Sequence, residues 1–171
     1  MNNQFLLVNI IRFALLISLQ IFLLNALPFG KMYIMVYPLA ILLLPVFTPR
    51  IAVLLIAFFT GLIVDWFSNG GGLHMASLTL IGYLRGIILD TFQPRSGWDK
   101  LDVPNIGQQG LQWFFYYSLI LFSIHHVCYF FLETFSFANF FHTLFKVILS
   151  IFGSLLLVWM ISLFIMRNSR Q

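Results

Sequence analysis

Apolar residues run along this chain in long blocks, separated by short stretches that carry glycine, proline or charge. The blocks lack the period-two alternation of a membrane β-barrel strand, so helices are predicted. A spanning helix needs about 20 mostly apolar residues. The pattern predicts six such segments: Phe5–Leu24, Tyr33–Phe47, Ile51–Trp66, Leu73–Asp90, Trp113–Leu132 and Leu144–Met166. The second and third are short. Pro38 and Pro45 punctuate the second, and Thr48-Pro49-Arg50 makes a tight connection to the third, which predicts kinks, tilt or partial re-entry for this pair. The expected fold is therefore an all-α membrane bundle of about six transmembrane helices, one domain over residues 1–171.

Composition agrees with lipid as the main solvent. The sequence is 61% hydrophobic and 8% charged, where a soluble domain carries about a quarter charged residues. Its formal charge of +4 comes from Lys and Arg scattered along the chain. Without a basic block, a nucleic-acid partner is not expected, and the charges are better used as topology signals. The first segment has no basic n-region and no small-x-small cleavage site after it, so a retained anchor is expected. With the N-terminus inside, Arg50, Arg95, Lys100, Arg167 and Arg170 gather on the inner side, against Lys31 and Lys146 near the outer side. That bias places both termini in the cytoplasm. The lone Cys128 excludes an intrachain disulfide.

The one sizeable loop, Thr91–Gln112, then falls on the cytoplasmic side. It holds Pro94, Gly97, Pro104 and Gly107, and its Arg95, Trp98 and Lys100 are candidate contacts for a partner. The plainer expectation is a solvated connector between the first four segments and the last two.

Ionisable and polar groups inside a bilayer are costly unless they face protein or water, so each is a site hypothesis. Asn9, Arg12 and Gln20 fall within about 80° of one another on the first helix and predict a polar stripe facing other helices. The third segment ends Gly61-Leu-Ile-Val-Asp65-Trp66, with Gly61 and Asp65 on one face, and is followed by Gly70, Gly71 and Gly72 before His74. Successive glycines allow positive φ or close backbone approach. Asp65 is then placed to accept hydrogen bonds from the turn or from the start of the next helix. On the fourth segment, Gly82-Tyr-Leu-Arg-Gly86 is a small-xxx-small face for close helix contact, with Thr79 near it. His74 and Arg85 lie about 20° apart around that helix but at different depths. Arg85, nearer the inner end, is able to snorkel, so an Asp65–His74 contact is expected ahead of an Asp65–Arg85 ion pair.

Further along, His125 and Cys128 share a helix face, but adjacent His125 and His126 diverge and no CxxC or HExxH accompanies them. Packing or interhelical hydrogen bonding is expected there, not a metal site. Glu133 is expected at the wet outer end. Lys146, Ser150, Gly153 and Ser154 share a face of the last segment, which predicts packing around a polar interior, with Lys146 snorkelling outward. The 21 phenylalanines are expected mainly as lipid-facing bulk and interface anchors. Nucleophile–base sets, paired carboxylates at helical spacing, a P-loop and GxGxxG are all absent from the sequence, so neither an enzyme nor a cofactor is expected.

Taken together, Gly61-xxx-Asp65, the glycine turn, His74-Met-Ala76 and Gly82-Tyr-xx-Gly86 make the chain resemble the rod shape-determining protein MreD family, best over Ile51–Asp90. The resemblance implies a small multi-pass protein of the bacterial inner membrane with about five or six spans and no enzymatic activity. It implies a place in the machinery that elongates the lateral cell wall. The implied direct partner is the bitopic MreC and, through it, the actin-like MreB, RodA and penicillin-binding protein 2. The family fold is similar to the substrate-binding subunits of energy-coupling-factor vitamin transporters. That likeness supplies a second expectation, a small-molecule-binding subunit in which Asp65, His74 and Lys146 line an outer pocket of about a few hundred Å³.

Overall fold

The computed structural model describes residues 3–25, 32–95, 97–99, 102–135 and 140–168, and of 3–6, 8, 9 and 165–168 the backbone alone. Lys31, Lys100, Arg170 and the side chains of Asn9 and Arg167 lie outside that description. All regular structure among the described residues is helical. In chain order it comprises α1 (Asn3–Ser18, continued as a π-helix over Leu19–Leu24), α2 (Pro38–Leu42), α3 (Arg50–Ser68), α4 (Leu73–Thr91), α5 (Ile106–Gln109), α6 (Leu111–Thr134) and α7 (Phe140–Asn168).

Among the described residues, three helices are long and apolar enough to cross a membrane: α3, α6 and the Phe140–Phe164 part of α7. A shorter apolar helix covers Ile10–Leu24. α4 equals α3 in length at 19 residues but carries His74, Arg85 and Asp90. The helices pack in sequence, α3 along α4, α4 along α6 and α6 along α7. Their outward faces expose Phe59, Trp66, Phe145, Phe152 and Phe164. Apolar exposure on this scale is far beyond the small patches of a water-soluble monomer, and lipid is the solvent that suits it. Not every phenylalanine is peripheral, since Phe114, Phe122 and Phe130 are fully buried.

The second predicted segment is corrected by the structure. Residues 33–47 do not form one helix: Met32–Val36 is without helical structure, α2 is only five residues long, and turns follow to Pro49. Length gives a physical reason. Fifteen residues in a helix cover about 22 Å, short of a hydrocarbon core of about 30 Å, whereas an extended stretch gains about 3.3 Å per residue. Pro38 starts α2 where its missing N–H costs nothing, and Pro45 lies beyond its end. Instead of facing lipid, Met35–Leu43 is buried throughout and forms the centre of the bundle.

Non-helical backbone inside a membrane bundle must find its hydrogen bonds in protein. Here the surrounding helices supply them. Gln20 Oε1 accepts from the Val36 N–H at 2.7 Å, and Gln20 Nε2 donates to the Ile34 carbonyl at 3.1 Å. From the other side, Ser150 Oγ accepts from the Tyr33 N–H at 3.0 Å and Ser154 Oγ from the Met35 N–H at 2.9 Å. The polar member of the α1 stripe and the serine face of α7 thus grip one strand-like segment between them. The widened π turn of α1 is where Gln20 sits, and Asn25 N–H closes it on the Gln20 carbonyl at 3.0 Å. At the far end, Tyr117 Oη donates to the Leu42 carbonyl at 3.1 Å, and the Val46 N–H bonds the Asp102 carbonyl at 2.9 Å. The segment therefore runs from its contacts with Ser150 of α7 to the 92–110 connection.

That connection is not a plain solvated loop. Val103, Pro104 and Ile106 are buried, and Asn105 caps α5 by accepting the Gln108 N–H at 2.9 Å. Trp98 is half-buried, with its ring edge-on to Trp113 at 5.7 Å between centroids, while Arg95 is exposed. The loop closes this end of the bundle with its apolar residues and leaves Arg95 and Asp99 exposed.

Candidate functional site

The glycine turn between α3 and α4 is built around Asp65. Asn69 ends α3 in the left-handed region at φ 53°, and Gly71 and Gly72 continue at φ 61° and 94°. A turn with this run of positive φ is open mainly to glycine and asparagine. Asp65, 6% exposed, accepts the backbone N–H of His74 at 3.1 Å and of Met75 at 2.8 Å. Its carboxylate thereby caps the first turn of α4 from within another helix, with the helix dipole adding to the hydrogen bonds. Two glycines make room for this. A Cβ on Gly70 would press on the Asp65 carboxylate and lie 2.9 Å from His74 Cδ2, and one on Gly61 would lie 2.7 Å from the Met75 nitrogen. The Asp65–His74 contact expected from sequence is thus made to the backbone of His74. The imidazole goes elsewhere.

That imidazole enters the core. Tyr37 Oη lies 2.8 Å from His74 Nδ1 and 2.6 Å from His125 Nε2, joining α4 to α6 through the buried central segment. A phenol has one proton to give, so one histidine donates and the other accepts. His125 Nδ1 is buried without a partner, which places its proton on Nε2, donating to Tyr37, and makes His74 Nδ1 the acceptor. His126 follows a separate path: Nδ1 lies 2.8 Å from the Phe122 carbonyl and Nε2 3.1 Å from Ser154 Oγ. Among the described residues, no cluster of three or more His, Cys, Asp or Glu that could hold a metal ion occurs. Tyr37→Phe should leave two buried ring nitrogens unpaired, at a cost of about 2 kcal/mol. The check is the thermal unfolding midpoint in mild detergent, and a midpoint equal to that of the parent chain would show that the bridge contributes nothing.

Gly82 faces α3, where an added Cβ would lie 3.0 Å from Ala57 Cβ, whereas Gly86 faces Arg50. The small-residue face of α4 therefore serves packing at one glycine and leaves space at the other. Arg85, 2% exposed, neither meets Asp65 nor snorkels to solvent. Its Nη2 donates to the Leu44 carbonyl and, at 3.4 Å, to that of Pro45, so it holds the carbonyls just beyond α2. Lys146 does not snorkel freely either. It pairs with Glu133 at 2.6 Å and stands over the Tyr33 ring at 4.4 Å. Arg12 is half-buried on α1.

Two cavities flank the α3–α4 pair. An outward groove of about 490 Å³ is lined by Leu54, Phe58, Met75, Ala76, Thr79 and Tyr83, among others. A cleft of about 240 Å³ at the opposite end includes Thr48, Arg50, Gly82, Arg85, Gly86 and Asp90. Asp65, His74 and Lys146 line neither. Tyr37 was not among the expected site residues, since its only marker is a hydroxyl within a proline-bracketed apolar run. Compared with protein-family models, with curated proteins and with solved structures, the chain matches none.

Proposed function

We propose that this chain is a non-enzymatic membrane scaffold of the cell-wall elongation machinery, as its resemblance to the MreD family implies. In this proposal it crosses the bacterial inner membrane six times, five times as helices and once through the buried 32–47 segment, with both termini cytoplasmic. Its direct partner is the membrane helix of MreC. Through MreC it reaches MreB, RodA and penicillin-binding protein 2.

The observation that carries the proposal is the outward groove on α3 and α4. The groove is apolar, and Ala76, Thr79 and Tyr83 follow one another down one face of α4. Small residues on a lipid-facing surface allow a second helix to approach closely, and dispersion then favours protein over lipid. The interior offers no such opening at Asp65 and His74, whose polar atoms are engaged in capping α4 and bridging to Tyr37. A scaffold presents its surface and fills its core, and these residues are distributed in that way.

Affinity purification of the full chain from its native membrane in mild detergent tests the proposal. MreC and cell-wall synthases should co-purify. Ala76→Trp, which fills the groove from an exposed position, should abolish their recovery while leaving the chain folded. Recovery of an ATPase module together with a vitamin would overturn the proposal in favour of a transporter subunit.

A further inference from the structure

The cleft at the opposite end of α3 and α4 has a different chemistry from the groove. Arg85 lines it and is buried, yet its hydrogen bonds go to neutral groups, the Leu44 and Pro45 carbonyls and the Tyr117 hydroxyl. Its Nε has no partner at all. Among the described residues the ion pairs are Arg50–Asp90 and Lys146–Glu133, so this guanidinium pairs with no carboxylate, and Asp90, which shares the cleft, is held by Arg50. Burying a cation without a counter-charge costs several kcal/mol in a low-dielectric surrounding, a cost that an anion in the cleft would offset.

Three further features favour an anion there. Pro49 and Arg50 line the cleft where the 19-residue helix α3 begins, and no side chain caps that terminus. Its free N–H groups and dipole favour negative charge. Arg50 stands at the rim, paired with Asp90 at 3.3 Å, with 80% and 69% of the two side chains exposed. Such an exposed pair contributes about 0–1 kcal/mol, so it opens readily to a competing anion. Gly86 supplies the space: a Cβ there would be 3.6 Å from Arg50 Nε, and a larger side chain would occupy the cleft. The volume of about 240 Å³ lies below the roughly 300–1,000 Å³ of pockets for drug-sized ligands, which fits a headgroup-sized fragment.

From this geometry we infer that the cleft between α3, α4 and the 46–50 turn binds a negatively charged phosphate group, held by Arg85, Arg50 and the N-terminus of α3. Arg50 begins a helix long and apolar enough to cross a membrane, and in a bilayer spanned by that helix the cleft at its end would stand near the lipid phosphates. An anionic phospholipid headgroup and free phosphate share this chemistry. The inference is independent of any protein partner, because the cleft and the groove share no lining residue.

The test is native mass spectrometry of the full chain in a neutral detergent, titrated separately with phosphatidylglycerol, phosphatidylcholine and inorganic phosphate. Arg85 anchors the 44–45 carbonyls, so its substitution threatens the fold. Arg50→Gln and Gly86→Leu are the informative variants. Phosphatidylglycerol should be retained over phosphatidylcholine, and each variant should weaken it about tenfold, Arg50→Gln by the loss of one charge-assisted contact and Gly86→Leu by filling the cleft. Retention of inorganic phosphate at least as tight as the lipid, lost in the same variants, would support the site with a soluble ligand as its source. Equal retention of phosphatidylcholine, binding undiminished in both variants, or no binding of either anion would overturn it.

Discussion

Gly61→Ala is expected to lower the thermal midpoint of the chain in mild detergent by roughly 6–12 °C, the equivalent of about 3 kcal/mol. The added Cβ would meet three backbone atoms of α4: Met75 Cα, the Met75 nitrogen at 2.7 Å and the His74 carbonyl oxygen at 2.8 Å. A flexible side chain could turn away, but a helix backbone yields only by moving the whole helix. Movement is costly here because the amides of His74 and Met75 are the ones Asp65 holds. Opening the α3–α4 contact therefore also lengthens both capping bonds. Gly86→Ala is the control, since its Cβ would find its nearest neighbour at an ordinary 3.6 Å. Equal midpoints for the two variants would show that the close approach at Gly61 does not limit stability.

The features that were legible in the sequence are those set by local pattern. Long apolar blocks gave α1, α3, α4, α6 and α7 to within a few residues at each end, because helices are the direct way to satisfy backbone groups in lipid. The Asp65 turn was legible for a similar reason: an acidic residue, three glycines and a helix start lie within ten residues, and their geometry is local. The central segment was not. Burial in protein and exposure to lipid both call for apolar residues, so Tyr33–Phe47 has the composition of a spanning helix while the neighbouring helices supply its hydrogen bonds. Its short length, Pro38 and Pro45 marked it as different, without showing what replaced the helix. The partner of His74 was hidden as well, because Tyr37 is 37 residues away and meets it only through tertiary packing. Arg85 shows the same limit: helical spacing gives its face but not the end of α2 that it holds. For Trp98, an exposed docking contact and an inward anchor look alike in sequence, and only the structure shows its ring edge-on to Trp113.

Asp65→Ala should cost about as much as Gly61→Ala, by a different route. The substitution removes both acceptors of the His74 and Met75 amides, and the His74 amide bond is fully buried. Losing a capping side chain costs about 0.5–2 kcal/mol, and a buried donor left unpaired costs about 1–3 kcal/mol. A total of about 3 kcal/mol follows, read as reduced folded yield and a lower unfolding midpoint. Asp65→Asn separates hydrogen bonding from charge: one carbonyl oxygen still accepts, so roughly half of the loss should return. Gly70 adds a dependent effect, because a Cβ there would displace the carboxylate from its place under α4. Gly70→Ala in the Asp65→Ala background should thus cost less than Gly70→Ala alone, the signature of two residues acting on one contact. The decisive alternative is biological. If Asp65→Ala accumulates as a folded chain with an unchanged midpoint yet, under the proposed scaffold function, no longer recovers its partners, the carboxylate acts on a partner, and its bonds to α4 are incidental to its role.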